Sequence, residues 1–354
     1  MTAAANLFTS TASCAMRTAR LGKRLLALAT LSACASAAVA QSSVTVFGIV
    51  DLAVRTVSNN ETQSQLASGG LQNSRLGFRG TEDLGDGYSA GFWLEGELVP
   101  DSGNMNEFRR RSTVSLRGRN QGELRLGRDR VPTIFEWQDF DPFGDAGIGR
   151  STRLQTASGM VPSGGAYGTA SRADNVVSYL TPGTLGGIFG QASVAAGEGQ
   201  LGNKYTGGRV GYRSGPLLVS GSYGKTEVTA DTNAKVWNLG GSYDFQAVKL
   251  WGFVSSLVIG TASQDNWLLG VTTSLGPVEL RASYQAMEGS GRLDGQEATM
   301  VAVGGVYPLS RRTALYATYS RIDNDGTSFT VAAGGPLTRG NTSDGYEFGI
   351  RHAF

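Results

Sequence analysis

Apolar and polar residues alternate with a period of two through most of this chain. In segment 234–245 the apolar residues Trp237 and Leu239 flank the polar Asn238, and the closing segment 343–354 has the same pattern. Side chains of a β-strand point alternately to its two faces, so this period places one kind of residue on each face. The chain is therefore predicted to fold as an all-β protein in which each strand has one apolar and one polar face.

A soluble β-sandwich would alternate as well, because one face of each of its sheets is buried. Two further features favour a transmembrane barrel, namely aromatic residues near the ends of apolar rows and links that are short and long in turn. The aromatic residues are Tyr243, Phe245, Tyr284, Tyr307, Tyr319 and Phe354. Short links lie near 83–87, 120–122, 214–216, 246–247, 276–277 and 309–311, and longer polar links near 58–70, 100–106, 130–171, 227–233, 288–295 and 324–342.

Residues 1–40 have the composition of a secretory signal peptide. Four basic residues and no acid precede the apolar stretch 25–39, which ends in Ala-Val-Ala at 38–40. We expect cleavage after Ala40. Met16 is a second candidate for the start of the chain, because the signal is complete from that residue.

The mature protein, residues 41–354, has 27 basic and 29 acidic residues and no cysteine. This balance gives no support to nucleic-acid binding, since the apparent excess of basic residues belongs to the signal. We interpret residues 41–354 as a single barrel domain, because nothing beyond the strand rhythm divides them.

The mature sequence contains sixteen strand candidates, and an even number lets the first and last strands pair and leave no edge open in lipid. A barrel of about sixteen strands is wide enough for an aqueous channel. We therefore predict a 16-stranded antiparallel transmembrane β-barrel. The candidates are 43–57, 71–82, 88–99, 107–119, 122–129, 172–181, 187–197, 205–214, 216–226, 234–245, 247–259, 265–275, 277–287, 296–308, 312–323 and 343–354.

Six segments, in order, resemble the general trimeric porins of β-proteobacteria and look closest to their arginine-rich, anion-selective members. One of them is Ser-Arg-Leu-Gly-Phe-Arg-Gly-Thr-Glu-Asp-Leu-Gly at 74–85, and another is the ending Gly-Ile-Arg-His-Ala-Phe at 349–354. The remaining four are 41–51, 91–97, 110–116 and 122–129.

The resemblance implies a homotrimer in the outer membrane of a Gram-negative bacterium, surrounded by lipid and lipopolysaccharide. Its water-filled channel would pass small hydrophilic solutes by passive diffusion, with small organic acids and inorganic anions preferred. The long link 130–171 would fold into the barrel as a constriction loop, and the barrel-insertion machinery would read the terminal Phe354. The resemblance also implies constriction arginines at Arg75, Arg110 and Arg172.

Alternation and resemblance disagree at Arg110. This residue shares the parity of Val114 and Leu116, which look lipid-facing, so strict alternation would place Arg109 and Arg111 inside. Either a β-bulge shifts the register, or Arg111 is the residue that faces the channel. Arg111 is therefore a candidate beside Arg110.

Arginine outnumbers lysine 23 to 4 in residues 41–354. A basic side chain on the lipid face near the membrane midplane costs about 2–4 kcal/mol, so strand arginines should face the lumen or lie at the rims. Rings of arginine in a pore favour anions.

Five acids are candidates for the lumen: Glu95 and Glu97 on the third predicted strand, and Asp139, Asp141 and Asp145 in the long loop. We expect the two glutamates to pair with wall arginines. The loop acids either face the arginines across the channel or anchor the loop to the wall. If the acids dominate, the protein would be a weakly selective general porin.

The groups that enzymes, cofactors and metals require are scarce. The one histidine, His352, lies on the outward row of the last strand, where it cannot activate a nucleophile. The mature chain has no cysteine and no calcium-loop pattern of acids. We expect no enzyme activity, no cofactor and no metal. A barrel adhesin or receptor whose outer loops bind a partner is the other alternative.

Overall fold

The computed structural model describes residues 43–354. The predicted signal peptide and both candidate start residues lie outside the described residues. Most of the described chain is β-strand, and none of its helices is long and apolar enough to cross a membrane. The strands are β1 Ser43–Ser58, β2 Thr62–Ser68, β3 Arg75–Gly85, β4 Tyr88–Val99, β5 Asn104–Gly118, β6 Gly122–Arg130, β7 Arg172–Leu180, β8 Ile188–Ala195, β9 Tyr205–Ser214, β10 Leu217–Glu227, β11 Asn233–Asp244, β12 Val248–Ile259, β13 Ala262–Leu275, β14 Val278–Gly291, β15 Glu297–Pro308, β16 Thr313–Asp325 and β17 Ser343–Ala353.

All strands belong to one antiparallel sheet that closes on itself. β1 pairs with β17, from Ile49 opposite Ala353 to Ser58 opposite Asp344. On its other edge, β1 pairs first with β3 and then, farther along, with β2. Because β2 and β3 share one position beside β1, the strands make a closed barrel of sixteen positions, which confirms the prediction.

Two links predicted as loops contain hairpin ends. β2 lies inside the predicted link 58–70, and β14 continues to Gly291 inside the predicted link 288–295. Strands that extend beyond the lipid can pair without an apolar face. Apolar and polar residues therefore do not alternate regularly there, and the sequence pattern does not predict these strand ends.

The two ends of the barrel differ. Links of two residues, such as 86–87, 215–216 and 276–277, lie at one end, which we call the turn end. The opposite end carries the long connections 131–171 and 326–342, and we call it the loop end. Barrels of the outer membrane have short periplasmic turns and longer outer loops, so this asymmetry fits that class.

The outward face of the barrel is apolar and the inward face polar. On β11, Trp237 and Leu239 are 47% and 57% exposed, whereas Asn238 between them is 2% exposed. The six aromatic residues predicted at the ends of apolar rows are all exposed. This arrangement is the reverse of a soluble protein and provides an apolar surface for lipid.

The loop 131–171 lies inside the barrel and supplies much of its core. It contains a 3₁₀ turn at Pro132–Ile134, helix α1 at Phe135–Asp139 and a second 3₁₀ turn at Ser151–Leu154. Its buried apolar side chains pack against inward residues of β11 to β16. At Gly240 a Cβ atom would overlap the ring of Phe140, so glycine makes room for the loop.

Asp51 stabilises the link between β2 and β3, residues 69–74. Its buried carboxylate accepts the backbone N–H groups of residues 70–72 at 2.7–3.2 Å and the hydroxyl of Tyr316 at 2.5 Å. Beside the gap, the N–H of Gly147 donates to the carbonyl of Gly69 at 3.0 Å. Asp51 therefore fixes the backbone of residues 70–72, next to Gly69, whose carbonyl binds the loop 131–171.

We predict that Tyr316→Phe lowers the free energy of unfolding by about 1–3 kcal/mol, because it removes a donor from a buried carboxylate. Urea unfolding of the barrel in lipid vesicles would measure this. Tyr319→Phe is the matched control on the same strand, since Tyr319 is exposed. Equal effects of the two substitutions would contradict the role given to Tyr316.

Candidate functional site

A bulge on β5 determines where its arginines point. Glu95 pairs with Arg111, but Glu97 pairs with Asn106, so the four residues 107–110 of β5 lie opposite the single Gly96 of β4. The extra residues reset the alternation, as bulges do. The side chain of Arg110 thereby turns inward beside that of Arg111, which places both candidates on the same side of the wall.

Arg109 differs from its two neighbours. It is exposed and lies with Met105 and Phe108 in an outward-facing hollow. Its backbone carbonyl accepts a hydrogen bond from the Nε of Arg128 at 2.5 Å. Strict alternation, which would have put Arg109 inside, fails because of the bulge.

A cavity of about 540 Å³ lies against the inner wall and is lined by guanidinium groups. Two carboxylates, Glu95 and Asp129, and the aromatic side chains of Trp93 and Phe135 also line it. We call its six arginines the arginine cluster: Arg75, Arg110, Arg111, Arg125, Arg130 and Arg172. The structure therefore brings all four arginines predicted from the sequence to one place.

Glu95 is the carboxylate at the centre of the arginine cluster. Its Oε1 accepts the Nε of Arg110 at 2.7 Å and lies 4.0 Å from the Nε of Arg75. Its Oε2 accepts the indole N–H of Trp93 at 3.1 Å. One carboxylate thus orients two guanidinium groups. Arg125 pairs with Glu123 at 2.8 Å and with Asp129 at 2.7 Å, so the six arginines of the cluster still outnumber the carboxylates that contact them.

Arg111 and Arg172 are held by other contacts. The guanidinium of Arg111 lies 4.6 Å from the ring centroid of Trp93 and 3.8 Å from a carboxylate oxygen of Asp129. The Nε of Arg172 donates to the backbone carbonyl of Arg110 at 2.8 Å. A carbonyl acceptor orients Arg172 without neutralising it, so this guanidinium keeps its full charge for a solute.

Sequence reasoning missed Arg125 and Arg130. Arg125 could have been found, because it alternates on β6 with Leu124 and Leu126, which are 45% and 42% exposed. Arg130 could not, because the pairing of β6 with β7 shifts register before Asp129. A shift of this kind depends on the partner strand and leaves no local pattern.

The loop acids anchor the loop. Asp139 pairs with the Nη2 of Arg209 at 2.6 Å, and Asp145 pairs with the Nη2 of Arg130 at 2.5 Å. Glu136, on α1, binds the Nε of the same Arg209 at 2.8 Å. For Asp139 the geometry therefore matches anchoring to the wall, whereas Asp145 pairs with an arginine that also lines the cavity.

Asp141 and Glu97 have other surroundings. Asp141 is buried inside the loop and accepts the N–H groups of Phe143 at 2.8 Å and Ser151 at 2.6 Å. Burial raises the pKa of Asp141 to about 6. Glu97 accepts a hydrogen bond from Asn106 at 3.1 Å, and no ion pair within residues 43–354 includes it. The expected pairing of Glu97 with a wall arginine is therefore wrong.

The C-terminal Phe354 closes the barrel at the turn end. Its backbone N–H donates to the carbonyl of Gly48 at 3.0 Å, and an oxygen of its terminal carboxylate accepts the N–H of Gly48 at 3.1 Å. Its ring covers Gly48 on the outward face, where a Cβ atom would overlap it. Because the side chain is 47% exposed, it remains accessible from the lipid side.

Known proteins share this architecture and sequence. Residues 27–327 match the sequence profile of the Gram-negative porin family. Outer membrane porin protein 32 of Delftia acidovorans is 39% identical over 359 residues, which cover 94% of this chain and 99% of that protein. The chain belongs to the Gram-negative porin family. It is an outer-membrane β-barrel, and by the rule for such barrels its turn end faces the periplasm.

Solved structures agree with this assignment. The anion-selective porin from Comamonas acidovorans superimposes with a TM-score of 0.82 and 35% sequence identity, covering 89% of this chain and 100% of that one. OmpT, an outer membrane protein of Vibrio cholerae solved in a trimer form, superimposes with a TM-score of 0.68 at 17% identity, covering 88% and 99%. The second likeness establishes the fold alone.

We predict that Glu136→Gln loosens the constriction loop. Arg209 would then keep Asp139 as its only carboxylate partner among the described residues, and removing one charge of a buried ion pair costs about 3–5 kcal/mol. Single-channel recordings should show more frequent partial closures than the wild type. Glu61→Gln is the control, because Glu61 is an exposed acid at the loop end. If the Glu136 variant closes partially no more often than this control, the anchoring role is wrong.

Proposed function

We propose that this porin is a passive diffusion channel for small hydrophilic solutes and that the arginine cluster makes it prefer anions. The observation that carries the proposal is the composition of one cavity of about 540 Å³, in which six guanidinium groups meet the acidic side chains of Glu95 and Asp129. Pores lined by rings of arginine favour anions because the local potential concentrates them. The protein from Comamonas acidovorans that shares the fold is itself described as anion-selective.

Arginine suits a permanent channel charge. Its guanidinium stays protonated at any working pH, and its planar fork binds carboxylate or phosphate at two points. We infer that small organic acids and inorganic anions are the preferred solutes. An anion that enters the cavity would exchange water for these donors and leave again, as conduction requires.

The arrangement of the loop acids supports a real preference over a weakly selective channel. Asp139 and Glu136 are paired with Arg209, which does not line the cavity, and Asp141 is buried inside the loop. Of the loop acids, only Asp145 offsets a member of the arginine cluster, through Arg130, while the wall acids Glu95, Glu123 and Asp129 offset others. The positive charge of the cluster therefore exceeds the acid charge that faces it.

We further propose that the protein assembles as a homotrimer in a membrane of lipid and lipopolysaccharide. The trimer form of the Vibrio cholerae protein with the same fold supports the assembly. The exposed apolar rows would meet the lipid, and the exposed Phe354 would be read by the barrel-insertion machinery before the barrel closes.

We predict that neutralising Arg75, Arg110 and Arg172 together to glutamine reduces anion selectivity. The reversal potential of reconstituted channels in a salt gradient measures this, and it should move toward the value for equal permeabilities. The matched control removes three positive charges from exposed positions outside the cavity: Arg311, Arg312 and Arg339. Unchanged selectivity in the first variant would exclude the arginine cluster as its cause.

We also predict that deleting residues 139–145 raises the single-channel conductance. The segment contains Phe140 and Phe143, whose rings pack against the inner wall, and two ion-paired acids. Replacing the same seven residues by glycine and serine keeps the loop length and removes only its anchors. A conductance that falls or stays constant on deletion would contradict a loop that narrows the channel.

A further inference from the structure

A second group of arginines lies nearer the loop end than the arginine cluster. Arg55 is on β1, Arg150 precedes the second 3₁₀ turn of the loop, and Arg153 lies within that turn. Arg75 of the cluster pairs with Ile49, and Arg55 is six residues farther along β1, or about 20 Å of strand. We call Arg55, Arg150 and Arg153 the vestibule arginines.

Loop and wall meet at the vestibule arginines. Glu347 of β17 accepts the N–H of Ile148 at 3.2 Å on one carboxylate oxygen. The carbonyl of Gly147 accepts the Nη2 of Arg153 at 3.1 Å, and the carbonyl of Asp145 lies 3.4 Å from the Nη1 of Arg150. The loop segment 145–148 therefore holds the guanidinium groups of both loop arginines beside Glu347.

Glu347 is already fully engaged. Its Oε2 accepts the Nε of Arg55 at 2.8 Å and its Nη2 at 2.7 Å, while its Oε1 accepts the N–H of Ile148. The Glu347 side chain is completely buried in these contacts. Glu347 therefore forms its ion pair with Arg55, and Arg150 and Arg153 have no carboxylate partner among the described residues.

The two loop arginines contact only backbone carbonyls. Within residues 43–354 neither has a carboxylate oxygen within 4.0 Å, and the Nε of each is buried without an acceptor. Two other acids act on Arg150 from a distance: Asp145, which is paired with Arg130, and Glu97, which accepts a hydrogen bond from the neutral Asn106. Half-buried guanidinium groups with unfilled donor positions are favourable sites for an added anion.

The charges of the vestibule arginines act on one another. Burial lowers the pKa of Arg153 well below its ordinary value, and the positive charges of Arg150 and Arg55 act in the same direction. An anion between these groups would relieve both effects, because it supplies the missing acceptors and the missing negative charge.

We propose that Arg150 and Arg153, with Arg55 held in place by Glu347, form a second anion-binding station on the outer side of the arginine cluster. It takes small solutes that carry carboxylate or phosphate groups, whose oxygens match the guanidinium fork. The proposal rests on the anion preference described above and deepens it. An anion would bind at the vestibule arginines first and pass from there to the arginine cluster.

The test uses the full-length channel in planar bilayers, with succinate and inorganic phosphate as probes that block the chloride current. In the wild type, we expect block at lower probe concentration from the loop end than from the turn end. The double substitution Arg150→Gln with Arg153→Gln should raise the half-blocking concentration from the loop end about tenfold. Block from the turn end, where probes meet the arginine cluster first, should change less.

The control removes two charges elsewhere, by Arg311→Gln with Arg312→Gln in a periplasmic link, and should leave the loop-end block unchanged. Folding of every variant is checked by the heat-dependent mobility shift typical of closed barrels. Each single substitution, Arg150→Gln or Arg153→Gln, should shift the block about threefold, so the proposal stays testable if the double variant does not fold. Equal half-blocking concentrations in the wild type and in these variants would contradict the proposed second anion-binding site.

Reversal potentials separate this proposal from the proposed function. A wild-type channel without anion preference would overturn the proposed function and the station together. A wild-type channel that prefers anions, with unchanged succinate and phosphate block in the Arg150 and Arg153 variants, would overturn the station alone.

Discussion

The structure depends on one constraint, which is that every backbone polar group at membrane depth needs a partner. In lipid no water can serve an open strand edge, so the sheet must close. Here closure is the pairing of β1 with β17, extended by the mutual hydrogen bonds of Gly48 and Phe354. The apolar outward rows, the polar interior and the room for a channel all follow from that closed geometry.

A barrel of sixteen positions encloses more space than its own inward side chains fill. The loop 131–171 occupies part of that space and provides the apolar core that the polar inner wall cannot. Two kinds of contact keep it there. Glycine on the wall admits its rings, as at Gly240, and wall arginines such as Arg209 hold its acids. The loop acids are thereby consumed in structure, which leaves other arginines free to act on solutes.

The distribution of positive charge inside the barrel follows from which arginines find carboxylates. Arg55 and Arg209 have buried partners and serve the wall. Arg172 and Arg153 have carbonyl partners, which orient a guanidinium without cancelling its charge. Concentrating like charges is unfavourable in the empty channel, and each passing anion reduces that cost. We therefore attribute the proposed anion preference to arginines inside the barrel that have no carboxylate partner.

The sequence by itself determined the barrel, its strand positions and the location of its one long loop, because strand alternation and turn residues are local properties. It also identified Arg75 and Arg172 through resemblance, and local alternation could have located Arg125, which sequence reasoning overlooked. Only the tertiary structure decided that Arg110 and Arg111 both face the cavity and that Arg109 does not, because a bulge in β5 depends on its pairing with β4. The same holds for Asp139, whose partner Arg209 is 70 residues away, and for Glu97, whose partner Asn106 is set by the bulge in β5. Register and long-range ion pairs are set by the assembled sheet, and a period of two along one strand carries no information about them.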